Sequence, residues 1–226
     1  LMGIHEWLLQ RGQKYEVTDE LRKWLEVYRD ESKRSADEHC ERFYISKPVA
    51  YRAIAPTGTI GILAGTTTGV EPVYAVAYKR RYLSAGTRWK HQYAIDYAAK
   101  SIIEQTGCNP EEIESAIDLS KDYERRIKFQ ADVQDYVDMG ISSTINLPNG
   151  FHDNGLDAEQ FAAVLAKYAP RLRGFTCYPD GARGGQPLTS VSYWMAKNKL
   201  GEEFDETEGE LNDICQISGH GGFCGT

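Results

Sequence analysis

Apolar positions recur at helical spacing from the first residues of the chain. Met2, Trp7 and Leu8 share one face, which predicts a helix over residues 2–11. A second helix is predicted from residue 19. Thr18 precedes two acids, Asp19 and Glu20, and Leu21, Trp24, Leu25 and Tyr28 follow at i, i+3, i+4 and i+7. The charged stretch 29–42 continues it as an exposed helix. Residues 49–55 read as a short buried strand ended by Pro56, and 73–82 as another, dense in Val and Tyr.

The middle of the chain reads mainly as helix. Asn109, Pro110 and Glu112 stand in the order of an N-cap, a proline at the first helical position and an acid at the third, with Ile113, Ala116 and Ile117 behind them. A longer helix is predicted over 123–139, with Phe129, Val133, Tyr136 and Val137 on its apolar side and Gly140 as its stop. Residues 141–147 form a strand ended by Pro148. Asp157 and Gln160 open a helix that carries Phe161, Val164, Leu165 and Tyr168 and closes at Pro170. Residues 172–178 form a further strand. Strands alternating with helices predict an α/β sheet or barrel with mostly parallel strands over residues 1–200.

The last 26 residues change in kind. Glu202, Glu203, Asp205, Glu206, Glu208, Glu210 and Asp213 meet no Lys or Arg, and these seven acids equal the whole net charge of −7. The body ahead of them is therefore near neutral. The glycine-rich CQISGHGGFCGT follows, so residues 201–226 read as an acidic linker and a mobile tail.

Composition narrows the function classes. No apolar run approaches the ~18 residues of a membrane-spanning helix. No basic start with a small-residue cleavage site is present, so no secretory signal is expected. An acidic chain lacks the basic face of a dedicated nucleic-acid binder. A soluble, cytoplasmic protein is the expectation. The chain opens inside a helical pattern with no cap before it, as a piece of a longer polypeptide does. Its five cysteines are widely spaced and include no C-x-x-C, which fits neither a secreted disulfide framework nor a zinc ribbon. Cys40, Cys108 and Cys177 read as packed thiols. His5, His39, His91 and His152 are isolated and read as surface or internally satisfied histidines.

The sharpest chemistry lies in Pro56, Thr57, Gly58, Thr59 and Ile60, where a strand gives way to a helix. Pro56 fixes the turn, Gly58 removes a Cβ that would obstruct a ligand, and the two threonines add hydroxyls. Free amides at the start of a helix suit an anion, so the segment reads as a phosphate cradle. The alternative is an ordinary strand-to-helix turn with threonine capping. No Gly-Lys-Ser/Thr follows, so it is not a P-loop.

Three ordered segments carry a family resemblance. APTGTIGILAGTTTGVEPVYAVAYKRRYL, GISSTINLPNG and LRGFTCYPDGARGGQPLT resemble the C-terminal barrel half of the catalytic chain of ribonucleotide reductase, most closely the adenosylcobalamin-dependent class II type, and LMGIHEWLLQRG resembles the helix opening that half. The likeness covers residues 1–195. It implies part of a ten-stranded α/β barrel in which a thiyl radical attacks the ribose 3′ carbon of a ribonucleoside di- or triphosphate. It implies adenosylcobalamin as cofactor and substrate phosphates at residues 56–60. Class I relatives carry an adjacent tyrosine pair, and no Tyr-Tyr occurs here.

The resemblance also implies what must come from elsewhere. The family's radical cysteine lies in an Asn-x-Cys-x-Glu pattern that this chain lacks. An N-terminal part of the catalytic chain is therefore an expected partner, and the chain alone is expected to be inactive. The family uses a C-terminal cysteine pair to re-reduce the active site, itself served by a thioredoxin-like reductant. Cys215 and Cys224 hold that place, nine residues apart with His220 between them. A redox arm, a metal site and an inert tail all remain open for them. The rival reading of the whole is a catalytically inactive, nucleotide-binding remnant, or half of a class I chain. Asn146 is read as facing the barrel interior or as structural, and Lys79, Arg80 and Arg81 as phosphate contacts or a solvated strand end.

Overall fold

The computed structural model describes residues 1–86, 88–148, 158–179 and 187–205. Helices α1 (Ile4–Leu9), α2 (Asp19–Phe43) and α3 (Gly58–Ala64) come first. The Thr18 hydroxyl accepts from Leu21 N–H at 3.2 Å and caps α2 as the sequence predicts, and α2 then runs unbroken through its charged second half. The hairpin β1 (Ala77–Ser84) and β2 (Arg88–Ile95) follows, then α4 (Tyr97–Thr106), α5 (Ala116–Leu119) and α6 (Tyr123–Gln134). The order closes with β3 (Thr144–Leu147), α7 (Ala158–Tyr168), β4 (Thr176–Pro179), β5 (Leu188–Ser190), α8 (Tyr193–Asn198) and β6 (Glu203–Asp205).

Two sheets result. β3 and β4 pair in parallel, and an isolated parallel bridge between Ile54 and Ile141 extends that wall by one chain. The larger sheet has the order β5-β1-β2-β6, and all its pairings are antiparallel. The prediction of mostly parallel strands thus holds for the β3–β4 wall and fails for the four-stranded sheet. The hairpin partner over 88–95 is what the sequence reading missed.

Several boundaries shift for local reasons. Residues 49–55 do not form a strand. Tyr51 N–H donates to the Asp138 carboxylate at 2.9 Å, Arg52 spends its guanidinium on Tyr136 and Arg29 carbonyls and on Asp138, and Val49 is fully exposed. Residues 73–76 stay outside the ladder because His5 and α5 take their backbone groups: Val73 N–H donates to His5 Nδ1 at 2.9 Å and Ala116 N–H to Val73 O at 2.7 Å. At 109–112 a single 3-10 turn forms, with the Asn109 side chain accepting from Glu111 N–H, and the helix restarts at a Ser115–Asp118 capping box. α6 stops at Gln134 rather than Met139, because the Gln134 side-chain amide donates to Val137 O at 2.7 Å and Met139 O at 2.8 Å. Asp157, expected to cap α7, lies outside the described residues.

The core has three parts. Leu8, Tyr15, Leu21, Leu25, Ile54, Phe129, Val133 and Ile141 join α1, α2 and α6. Ile127, Ile145, Leu147 and Tyr168 join α6 and α7 to the parallel pair. Val73, Ala99, Ile102 and Ile113 seat α4. The predicted apolar residues Phe129, Val133, Tyr136 and Val137 all join the first cluster, while Tyr123, Ile127 and Ala131 of α6 join the second, which makes α6 the element linking the helical layer to the sheet.

Candidate phosphate site and its supporting network

α3 begins at the predicted cradle. Thr57 has φ 50° and ψ 25°, left-handed values rare for a β-branched residue, and its side chain makes no cap bond. The threonine-capped turn weighed from sequence is therefore not what forms. Thr57 Oγ1 instead accepts from Gly69 N–H at 2.9 Å, which ties the start of α3 to the loop that follows it. The first helical bond runs from Gly61 N–H to Thr57 O at 2.7 Å, so the amides of Gly58, Thr59 and Ile60 precede it as orphan donors.

Gly58 opens onto a cavity of about 380 Å³. Its walls come from separate parts of the chain: Thr66, Thr67 and Thr68 after α3, Thr144 and Asn146 on β3, Tyr78 on β1, Leu188 on β5, and Asp96 ahead of α4. A Cβ built at Gly58 meets no atom within 4 Å, so crowding inside the protein does not account for glycine there. Gly61 differs: a Cβ there would stand 2.6 Å from Thr68 Cγ2 and 3.3 Å from Thr66 O, so the threonine loop folds flat against α3 only over a glycine. The loop is also stitched to α1, with Glu6 N–H donating to Thr67 Oγ1 at 3.3 Å and Gly3 N–H to Thr67 O at 2.8 Å.

Beneath the cavity lies a buried charged network. Arg126, 2% exposed, pairs with Glu71 and donates to the Tyr15 hydroxyl and to Ser143 Oγ, both at 2.9 Å. Glu71 Oε1 accepts from Thr144 N–H at 2.6 Å, which fixes β3 against the loop leaving α3. Tyr15 donates to Val70 O and stacks on Phe129 with ring centroids 3.9 Å apart. Burial pushes the Glu71 carboxyl above the ordinary glutamate range, and Arg126 pulls it back down. Asp96 is raised by burial too, while its carboxylate accepts from Ala99 N–H at 3.1 Å. Both acids bordering the cavity are thus committed to internal donors and shifted toward their neutral forms.

His5 supports the wall from behind, through Val73. It is fully buried, its Nδ1 accepting from Val73 N–H, and burial followed by the charge of Arg126 lowers its pKa to about 3. It is a neutral structural histidine, with Nε2 left without a hydrogen-bond partner.

Of the sequence-predicted residues, the structure brings Gly58 and Asn146 to one cavity. Lys79, Arg80 and Arg81 do not border it. Arg80 bonds to Gln92 at 2.8 Å on the exposed sheet face, and Arg81 lies 3.7 Å from the Trp89 ring centroid. Cys40 is buried in α2, and Cys108 and Cys177 are half-buried, the last raised by burial. Cys215 and Cys224 lie outside the described residues. Sequence reasoning missed Thr66–Thr68, Glu71, Asp96 and Arg126. A run of three hydroxyls between two glycines was the available signal for the first group. The pairing of Glu71 with Arg126, 55 positions apart, had none.

The comparisons with known proteins agree with this geometry. The family model described as "Ribonucleotide reductase, barrel domain" matches residues 49–167, a segment that contains every wall residue named above except Leu188. A vitamin B12-dependent ribonucleoside-diphosphate reductase of Mycobacterium tuberculosis (strain ATCC 25618 / H37Rv) is 28% identical over 92% of this chain. One from Thermoplasma acidophilum is 27% identical over 69% of it. The chain spans 33% and 22% of those two relatives. The crystal structure of a B12-dependent (class II) ribonucleotide reductase superposes with a TM-score of 0.68 at 14% identity, over 96% of this chain and 33% of that one, which establishes the shared fold. The cavity walls, the helix head at Gly58 and the parallel pair beside it are therefore pieces of one known architecture, and this chain belongs to the ribonucleotide reductase barrel-domain family.

Proposed function

We propose that this chain supplies the substrate-phosphate wall of an adenosylcobalamin-dependent ribonucleotide reductase. The observation that carries the reading is the cavity itself. It sets Gly58, at the head of α3, beside the hydroxyls of Thr66–Thr68 and the side chain of Asn146, groups able to donate to an anion, in a lining that is otherwise largely apolar and also holds the carboxyls of Glu71 and Asp96. The two carboxyls in the lining are occupied internally, Glu71 by Arg126 and Thr144 N–H and Asp96 by Ala99 N–H, so part of their charge is offset within the protein.

The cavity is sized for a nucleotide, within the roughly 300–1,000 Å³ of ordinary ligand pockets. It does not fit a corrin macrocycle. No group of three His, Cys, Asp or Glu side chains poised for a metal exists among the described residues. The cobalamin that the relatives' names specify is assigned to surfaces that the N-terminal part of the catalytic chain helps to build, where it would supply the radical.

The chain's own contribution is positional. Holding the phosphates places the ribose so that a thiyl radical borne upstream meets the 3′ hydrogen. The 2′ hydroxyl then leaves as water, and the two electrons come from a dithiol that becomes a disulfide. Cys215 and Cys224 are assigned as the pair that reduces that disulfide by exchange, to be reduced in turn by a thioredoxin-like dithiol. No cysteine borders the described cavity, so the chain is inactive without the N-terminal part of the catalytic chain.

Binding of radiolabelled ribonucleoside di- and triphosphates to the chain joined with that upstream portion tests the reading. Gly58→Asp places a carboxylate where nothing in the protein obstructs it, so stability is expected to hold. Affinity should fall at least ten-fold. Unchanged affinity would remove the cradle from the account.

A further inference from the structure

The four-stranded sheet ends on β6, the last described element before residue 206. Glu-Phe-Asp is a poor strand by composition, since acids are depleted from strands, so its order must come from what it rests on. Tyr93 N–H donates to Glu202 O at 3.2 Å and Gly201 N–H to Tyr93 O at 3.0 Å. The Phe204 ring lies 5.3 Å from His91 and 5.5 Å from Tyr93, with the Lys79 ammonium 5.7 Å from its centroid. Glu203 accepts from Gln92 Nε2 at 3.4 Å and stands 3.5 Å from Lys90 Nζ. The strand is anchored by one aromatic side chain and by Glu203, which meets Lys90 and Gln92 of the hairpin.

We propose that the outer edge of β2 is an intramolecular docking surface whose occupant is the start of the acidic C-terminal segment. Moored there, β6 fixes the origin of the thiol-bearing tail. The functional half rests on the reading of Cys215 and Cys224 as the reducing pair; the mooring itself does not. Tyr78, which borders the cavity, pairs with Ala94, while Asp205 pairs with Lys90. Two strand spacings across and four residues along put the tail's origin about 17 Å from the cavity wall. Ten residues separate Asp205 from Cys215, a length of at most about 35 Å when extended, so chain length does not prevent a thiol moored at Asp205 from serving the cavity of its own chain. Released to the end of α8 at Asn198, the free segment grows to 17 residues. The effective concentration of the thiol at the cavity then falls about two-fold, by the −3/2 power of length.

The test uses the complete reductase chain. Amide hydrogen exchange over residues 88–95 is compared for the intact protein, a truncation after residue 205 and a truncation after residue 201. Exchange should match for the first two and rise at least ten-fold in the third; equal exchange in all three overturns the mooring. Phe204→Ala should lower turnover supported by a protein dithiol about two-fold and leave turnover with a small-molecule dithiol unchanged. Faster exchange in Phe204→Ala with both turnovers unchanged overturns the functional half. A chain carrying Cys215→Ser and Cys224→Ser that still turns over with the protein dithiol refutes the reducing-pair reading, and the functional half falls with it.

Discussion

Acid should loosen the cavity wall through His5. In the folded chain its pKa is about 3, and in the unfolded chain it returns to the ordinary 6.5. Above 6.5 neither state binds a proton there and the folded state keeps its full margin. Below 6.5 the unfolded chain takes up the proton and the folded one does not, so stability falls until pH reaches the folded value. With 1.36 kcal/mol per unit, lowering the pH from 7.5 to 5 costs about 2 kcal/mol at this residue alone. Protonation also removes the Nδ1 lone pair that accepts from Val73 N–H, so the stretch beside Pro72 and Tyr74 loses its anchor. His5→Gln keeps an acceptor for Val73 and does not titrate. The assay is urea unfolding at both pH values. The wild-type loss between them should exceed the His5→Gln loss by about 2 kcal/mol. Equal losses would refute the claim that a buried neutral histidine holds this wall.

Three further outcomes are expected. Arg126→Met leaves the half-buried Glu71 without its partner and should cost about 2–4 kcal/mol by denaturant midpoint, much of it recovered when Glu71→Gln is added; additive costs would deny the pair. Gly61→Ala drives a Cβ against Thr68 and should cost about 1–3 kcal/mol and weaken nucleotide binding, read by thermal unfolding and by the binding titration. Thr57→Val removes the acceptor for Gly69 N–H and should destabilise by about 1–3 kcal/mol; no change in melting would show that the bond contributes nothing.

Much of the fold was legible because its signals are local. Thr18 caps α2 since a hydroxyl before two acids serves the orphan amides wherever the chain goes. The helix start at Gly58 and the strand carrying Asn146 were likewise written in turn and strand residues. What escaped depends on distant partners. Residues 49–55 look like a strand until Asp138 takes the Tyr51 amide, and 73–76 until His5 takes the Val73 amide. β2 reads as a polar stretch, RWKHQYAI, because its pairing with β1, and not a buried apolar face, gives it order. The cavity's hydroxyl wall was visible as AGTTTG but had no meaning before Gly61 was seen to let it fold back on α3.

The central claim is that this cavity holds ribonucleotide phosphates for reduction by a chain completed from upstream. The most direct measurement is deoxyribonucleotide formation by this chain mixed with the N-terminal part of the catalytic chain, with adenosylcobalamin, a dithiol and either di- or triphosphate substrate. The account predicts turnover only in the mixture, abolished by Gly58→Asp. A mixture that assembles and binds nucleotide but forms no deoxyribonucleotide, or turnover indifferent to Gly58→Asp, would contradict it.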